Sequence, residues 1–161
     1  MSERERRSIS FTQPMRIPSV TQQMHRIGVN RCTGKSYIYD GYEIKVARGL
    51  LDDALLQHRP SSPFSGPLHL WVTWYYKAGK THRDMEYKTT RPDTDNLIKM
   101  LKDEMARLGY FFNDAQVAEE ISRKIWTDSF EGISVYLGEM TEEAPECLRP
   151  NTLRQKTSSI P

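Results

Sequence analysis

The chain has 161 residues, of which 37% are hydrophobic and 27% charged, enough apolar material for one modest core with tails and too much for global disorder. No apolar run approaches the roughly 20 residues a membrane span needs. The MSERERRSIS start lacks an apolar signal core, and Cys32 and Cys147 stand far from each other and from any Cys/His cluster, so membrane, secreted, zinc-built and disulfide-built classes are not expected.

In chain order, residues 1–7 read as a flexible charged arm and 8–12, with Ile9 and Phe11 alternating, as a short strand. Residues 13–39 show no period, contain Pro14, Pro18, Gly28 and Gly34, and carry Arg16, Arg26, Arg31 and Lys35 without an acid. They read as a long basic loop, a feature that in a compact domain is often functional. Residues 40–57 read as a helix with Ile44, Ala47, Leu51, Ala54 and Leu55 on one face. A break rich in Pro, Ser and Gly over 58–67 precedes a strand over 68–76, where aromatic and β-branched residues concentrate. Residues 77–92 form a second basic loop, with Lys77, Lys80, Arg83, Lys88 and Arg91 against Asp84 and Glu86.

The clearest helix covers 94–108. Leu97, Ile98, Leu101, Met105 and Leu108 form its stripe, Thr94 or Asp95 can cap its start, and Gly109 stands where a terminating glycine belongs. Residues 116–126 suit a helix or one face of a strand equally. Residues 132–137 read as a strand and 139–161 as a polar, disordered tail. One domain over 8–138, α+β, with helices layered on a small mixed β-sheet, is the expected architecture.

The chemistry concentrates where the charge reverses. From Asp93 to Glu120 there are seven acids against three bases, flanked by the basic segments. That pattern suits a metal site beside a polyanion, although a mosaic of solvated surface charge produces it too. Asp93 and Asp95 are two apart, so on extended backbone both carboxylates face one side, at a helix N-terminus that stabilises negative charge. At about 100° per residue, Asp95 and Lys99 fall opposite the apolar stripe, one turn apart. Two close carboxylates repel unless a cation neutralises them, and hard divalent cations take such oxygen ligands. A nearby lysine suits a scissile phosphate. Asp114 supplies a third ligand if the turn at Gly109 folds the chain back. The bland alternatives are a capping Asp-x-Asp, a Lys99 paired with Asp95 or Asp103, and an Asp114 that merely turns the chain.

The stretch Asp93-Thr-Asp95-Asn96-Leu97-Ile98-Lys99, followed by Gly109, an aromatic link and Asn113-Asp114-Ala115-Gln116-Val117, resembles the RusA family of Holliday junction resolvases. Close similarity runs from about Arg91 to Lys124. The resemblance implies that Asp93, Asp95 and Asp114 bind a catalytic Mg²⁺, with Mn²⁺ as a substitute, and that Lys99 is catalytic. It implies a strand after Gln116, and a homodimer that makes paired nicks in four-way junctions during DNA recombination and repair in a bacterial or phage-encoded cytoplasmic setting. The basic residues Arg16, Arg26, Arg31, Lys35, Lys77, Lys80, Arg83 and Lys88 would then hold DNA phosphates. A nuclease for flaps or forks, or a noncatalytic junction binder, is the alternative. Asn113 departs from the family pattern, which places an acid there.

Overall fold

The computed structural model describes residues 6–19 and 26–141. Its elements are β1 (Ser8–Pro14), β2 (Arg26–Val29), β3 (Ser36–Tyr39), α1 (Tyr42–Leu56), β4 (Leu68–Lys77), α2 (Thr94–Arg107), a single 3₁₀ turn (Asp114–Gln116), β5 (Val117–Thr127) and β6 (Gly132–Glu139). Four strands form the main sheet in the order β1-β6-β4-β5. β4 pairs with β6 antiparallel and with β5 in parallel. A parallel pair needs a crossover of at least a dozen residues, and α2 lies in it. The result is the expected α+β fold.

Alternation in β4 explains which face the helices cover. Leu68, Leu70, Val72 and Trp74 are buried on one side and join Val135 and Leu137 of β6, Leu51 and Leu55 of α1, and Leu97, Leu101 and Met105 of α2 in one core. Each such side chain contributes about 1.5–3 kcal/mol on leaving water. The other side of the sheet carries His69, Trp71 and Tyr136, whose rings cluster 5.1–5.3 Å apart.

α2 ends as its sequence dictates. Gly109 takes φ +80°, Gly109 N donates to Ala106 O at 3.0 Å, and Tyr110 N donates to Met105 O at 2.9 Å. This double bond pattern satisfies carbonyls the helix would otherwise leave bare. Tyr110 then drops into the core and its hydroxyl donates to Leu55 O of α1 at 2.7 Å. A buried carboxylate also joins the helices: Glu104 lies 3.2 Å from Arg48 Nε and 2.6 Å from Arg107 Nε, and Arg107 also pairs with Asp52. Burial pushes the Glu104 carboxyl above its usual range, against the pull of Arg107.

Two sequence expectations change and one open reading is resolved. Residues 13–39 are not wholly loop, because β2 and β3 pair as a hairpin from Arg26↔Tyr39 to Val29↔Ser36. The turn is built by Asn30, whose side chain accepts from Cys32 N and Thr33 N, and by Gly34 at φ +68°. The exposed Tyr37 ring lies over Gly28, where a Cβ would come within 2.7 Å of it and push it aside. Residues after Gln116 form a strand, as the family resemblance implied. Arg7, read as part of a flexible arm, donates to Pro63 O and Ser62 O at 3.1 and 2.9 Å and covers the Phe64 ring. Residues 1–5 of that arm, and the tail from 142 to 161, lie outside the described residues.

Candidate active site

Asp93 is the N-cap of α2, with φ −75° and ψ 147°, yet its side chain makes no capping hydrogen bond. An N-cap aspartate ordinarily satisfies a backbone N–H of the first turn. Here the carboxylate is left available. Asp95 follows in the first turn and Lys99 one turn later, all exposed, while Leu97, Ile98, Met100 and Leu101 face the core. Among the described residues, the side chains of Asp93, Asp95, Lys99 and Asp114 make no hydrogen bond or ion pair. Unpartnered hard-oxygen donors at a positive helix end fit a divalent cation, which prefers carboxylates plus water and phosphate.

The backbone leading to this end is firmly held. Met85 N donates to Trp126 O at 2.8 Å, Trp126 N to Glu86 O at 2.8 Å, and Lys88 N to Lys124 O at 2.9 Å, which lays residues 85–88 along the outer edge of β5. Asp84 anchors the start of this strap, accepting from Asp128 N at 3.0 Å and Thr127 Oγ1 at 2.9 Å. The first of these bonds, then the second, holds its carboxyl below the usual range. His82 stacks on Trp126 with centroids 4.2 Å apart. Lys124 Nζ donates to Thr90 O and Pro92 O, both at 2.7 Å, just ahead of Asp93. The Arg91–Pro92 bond is cis.

Asp114 is elsewhere. α2 and β5 run in opposite directions, since Lys124 meets Pro92 at one end while Lys102 pairs with Glu120 at 2.6 Å farther along. The 14 residues of α2 make it roughly 21 Å long. Asp114 lies beyond the C-terminal end of that helix, so it stands on the order of 20 Å from Asp93. The expectation that the turn at Gly109 folds Asp114 back onto Asp93 and Asp95 is therefore corrected for a single chain. Gly109 ends the helix without reversing it along its own length, because Tyr110 and Phe111 are drawn into the core. Among the described residues no three His, Cys, Asp or Glu side chains stand together in a metal-holding group.

The turn that carries Asp114 is nonetheless tightly built. Asn113 accepts from Ala115 N at 2.8 Å, and Gln116 accepts from Phe112 N and Asn113 N while donating to Gly66 O at 3.1 Å. Asn caps as well as Asp does, which gives Asn113 a role that its departure from the family pattern does not disturb. Phe112, beside it, is 75% exposed.

The basic residues divide. Arg16, Arg31, Lys35, Lys80 and Arg83 are exposed. Arg26 is exposed but paired with Glu43 at 3.0 Å. Lys77 Nζ donates to Asp128 O at 2.5 Å and so fastens a turn. Lys88 is buried, which corrects its reading as a phosphate contact. Its ammonium lies 4.6 Å from the Trp126 ring centroid and 5.0 Å from that of Tyr76, and it donates to Thr90 Oγ1. Burial, then the neighbouring Lys124, lowers its pKa. Lys124 itself escaped the sequence reading because it lies outside the acidic motif, on a strand whose period was ambiguous.

The family model described as Endodeoxyribonuclease RusA matches residues 17–137. Over 117 residues the chain is 32% identical to the crossover junction endodeoxyribonuclease RusA of Lactococcus phage r1t, spanning 68% of this chain and 82% of that protein.

Proposed function

The chain belongs to the RusA endodeoxyribonuclease family, and on that premise we propose that it resolves four-way DNA junctions as a homodimer dependent on Mg²⁺, with Mn²⁺ as a substitute. The observation that carries the reading is the uncapped Asp93 beside Asp95, with Lys99 one turn on and none of the three otherwise engaged. Asp93 and Asp95 would hold the cation, which when bound supplies charge neutralisation and a water of lowered pKa. Lys99 faces the same solvent side and would hold the scissile phosphate, steadying charge as the bond breaks. The exposed Arg16, Arg31, Lys35, Lys80 and Arg83 would hold flanking phosphates, which position DNA without reading its sequence. No described helix is long and apolar enough to cross a membrane, and we place the activity in bacterial or phage-directed recombination and repair in the cytoplasm.

The separation of Asp114 from Asp93 supports a site completed between two copies. In a two-fold dimer with antiparallel α2 helices, Asp114 of one copy approaches Asp93 and Asp95 of the other, and two such sites arise by symmetry. A four-way junction has a matching two-fold axis, so two opposed nicks follow. Exposed Phe112, adjacent to Asp114, supplies apolar area for that contact.

Mixing two inactive variants tests both levels of the reading. Asp95→Asn and Asp114→Asn homodimers should each fail to cleave a four-way junction in Mg²⁺. A heterodimer formed by refolding them together restores one site of two and should give single nicks. Failure of the wild-type chain to cut four-way, three-way or flap DNA would refute the nuclease. Cutting of flaps in preference to four-way junctions would reassign the substrate. A silent heterodimer beside an active wild type would refute completion by the partner.

A further inference from the structure

Lys124 touches neither of the carboxylates at the N-terminus of α2, yet it governs where they stand. Its ammonium donates to Pro92 O and Thr90 O, each at 2.7 Å. Pro92 O belongs to the peptide whose nitrogen is that of Asp93, so this hydrogen bond fixes the plane from which the Asp93 side chain departs. Asp93 has no capping bond of its own to orient it. The peptide ahead of it is held instead by a lysine on a neighbouring strand, which donates to the Pro92 carbonyl. The surroundings are arranged to keep it there. Lys124 O accepts Lys88 N at 2.9 Å, and the Lys88 ammonium bonds Thr90 Oγ1 from the other side, so two lysines clasp residues 90–92. No carboxylate is hydrogen-bonded to either ammonium. Their donors go to carbonyl, hydroxyl and ring instead, and among the described residues Asp93 and Asp95 stay unpaired.

We propose that Lys124 is a positioning residue for the metal-binding carboxylates, holding the Pro92–Asp93 peptide so that Asp93 meets the cation without further ordering. The inference rests on the proposed nuclease reading for the cation, and on the hydrogen bonds alone for the clasp. Lysine suits the task because one ammonium carries three donors and reaches two carbonyls at once. A misplacement on the order of 1 Å at a catalytic group, from a change outside the chemistry, costs on the order of 100-fold in rate.

The test uses the full-length protein in two independent assays. In metal-free protein, amide hydrogen exchange at Leu97, whose N–H donates to Asp93 O at 3.2 Å and closes the first turn of α2, should speed up in Lys124→Met and stay near wild type in Lys124→Arg, which keeps donors. In Mg²⁺, cleavage of a four-way junction by Lys124→Met should lose on the order of 100-fold in kcat with little change in KM, and Lys124→Arg should recover part of the loss. If Lys124→Met fails to fold, Lys124→Gln, neutral and shorter, is expected to show the same two effects. Unchanged exchange at Leu97 in a folded Lys124→Met or Lys124→Gln overturns the clasp whatever the cleavage result. Faster exchange with undiminished kcat overturns its catalytic consequence. An inactive wild type overturns the nuclease reading and the positioning role with it, and the exchange data then show whether the clasp itself exists.

Discussion

The two ends of the molecule that carry exposed charge are built in opposite ways. At the N-terminus of α2, Asp93, Asp95 and Lys99 have no side-chain partners among the described residues, but the backbone beneath them is fastened by β5, by the strap over 85–88 and by a helix sunk into the core. In the β2–β3 hairpin, Arg31, Lys35 and Tyr37 are equally exposed, but so is everything under them. Ile27 and Ile38 are 74% and 71% exposed, and the two strands form a sheet of their own. A two-stranded hairpin in water is marginal by itself. Chemistry needs free side chains on a rigid frame, whereas a surface that grips a bent polyanion gains from compliance. The difference teaches that exposure alone identifies neither.

The comparison breaks most sharply at the rigid end. Asp95→Asn should cut the junction-cleavage rate by on the order of 1000-fold, equivalent to about 4 kcal/mol of transition-state stabilisation. Junction affinity measured in EDTA should be intact or tighter, because a negative charge near phosphate is gone. Retained cleavage would remove the rigid end from the chemistry. Next, the frame itself can be loosened at Glu104, which is 2% exposed between Arg48 and Arg107. Glu104→Ala removes the buried carboxylate shared by Arg48 and Arg107, which keep Asp40 and Asp52, and should lower the unfolding free energy in urea by about 2 kcal/mol. A loss below about 1 kcal/mol would mean that α2 is held by packing alone.

The compliant end should respond in binding only. Arg31→Ala with Lys35→Ala should weaken junction affinity about tenfold at low salt and reduce the salt slope by about 2, with kcat at saturation nearly unchanged. A kcat effect equal to that of Asp95→Asn would make the hairpin catalytic and dissolve the distinction. The smallest effect is expected at Lys88, whose ammonium is buried without a carboxylate. Lys88→Met keeps the length and drops the charge, and should raise Tm by about 2–4 °C at pH 7. The sign with pH is fixed. The folded state lowers the Lys88 pKa below 10.5. Its charged form therefore costs stability at pH 7, and that cost shrinks as pH rises through the lowered pKa towards 10.5. The Tm advantage of Lys88→Met should shrink accordingly by pH 10.

How much was legible differs along the same line. α2 was readable to within a residue, because an apolar stripe, an acidic start and Gly109 all spoke for one helix. Its exposed Asp95 and Lys99 followed from the period. The hairpin was hidden because both of its faces meet solvent, so no alternation marks it, and its only signals were Asn30 and Gly34. The strand from Val117 to Thr127 was ambiguous because Val117, Ile121 and Ile125 recur every four residues. Lys88 was misplaced for a different reason. Charge in a sequence carries no record of burial, and only the strap along β5 turns that ammonium inward. The distance of Asp114 from Asp93 was equally hidden, since a glycine after a helix states that it ends and not which way the chain then goes.

The stack of His82 on Trp126 gives the protein an optical gauge. The emission of an indole responds to a ring lying flat against it, so it depends on that imidazole staying in place. The chain has three tryptophans. Trp74 is sealed in the core and Trp71 is on the far face of the sheet, which leaves Trp126 alone beneath the strap that leads to Asp93. Steady-state fluorescence that changes when the strap lifts would follow motion at this end of the molecule in real time, without a label and before any bond in DNA is cut.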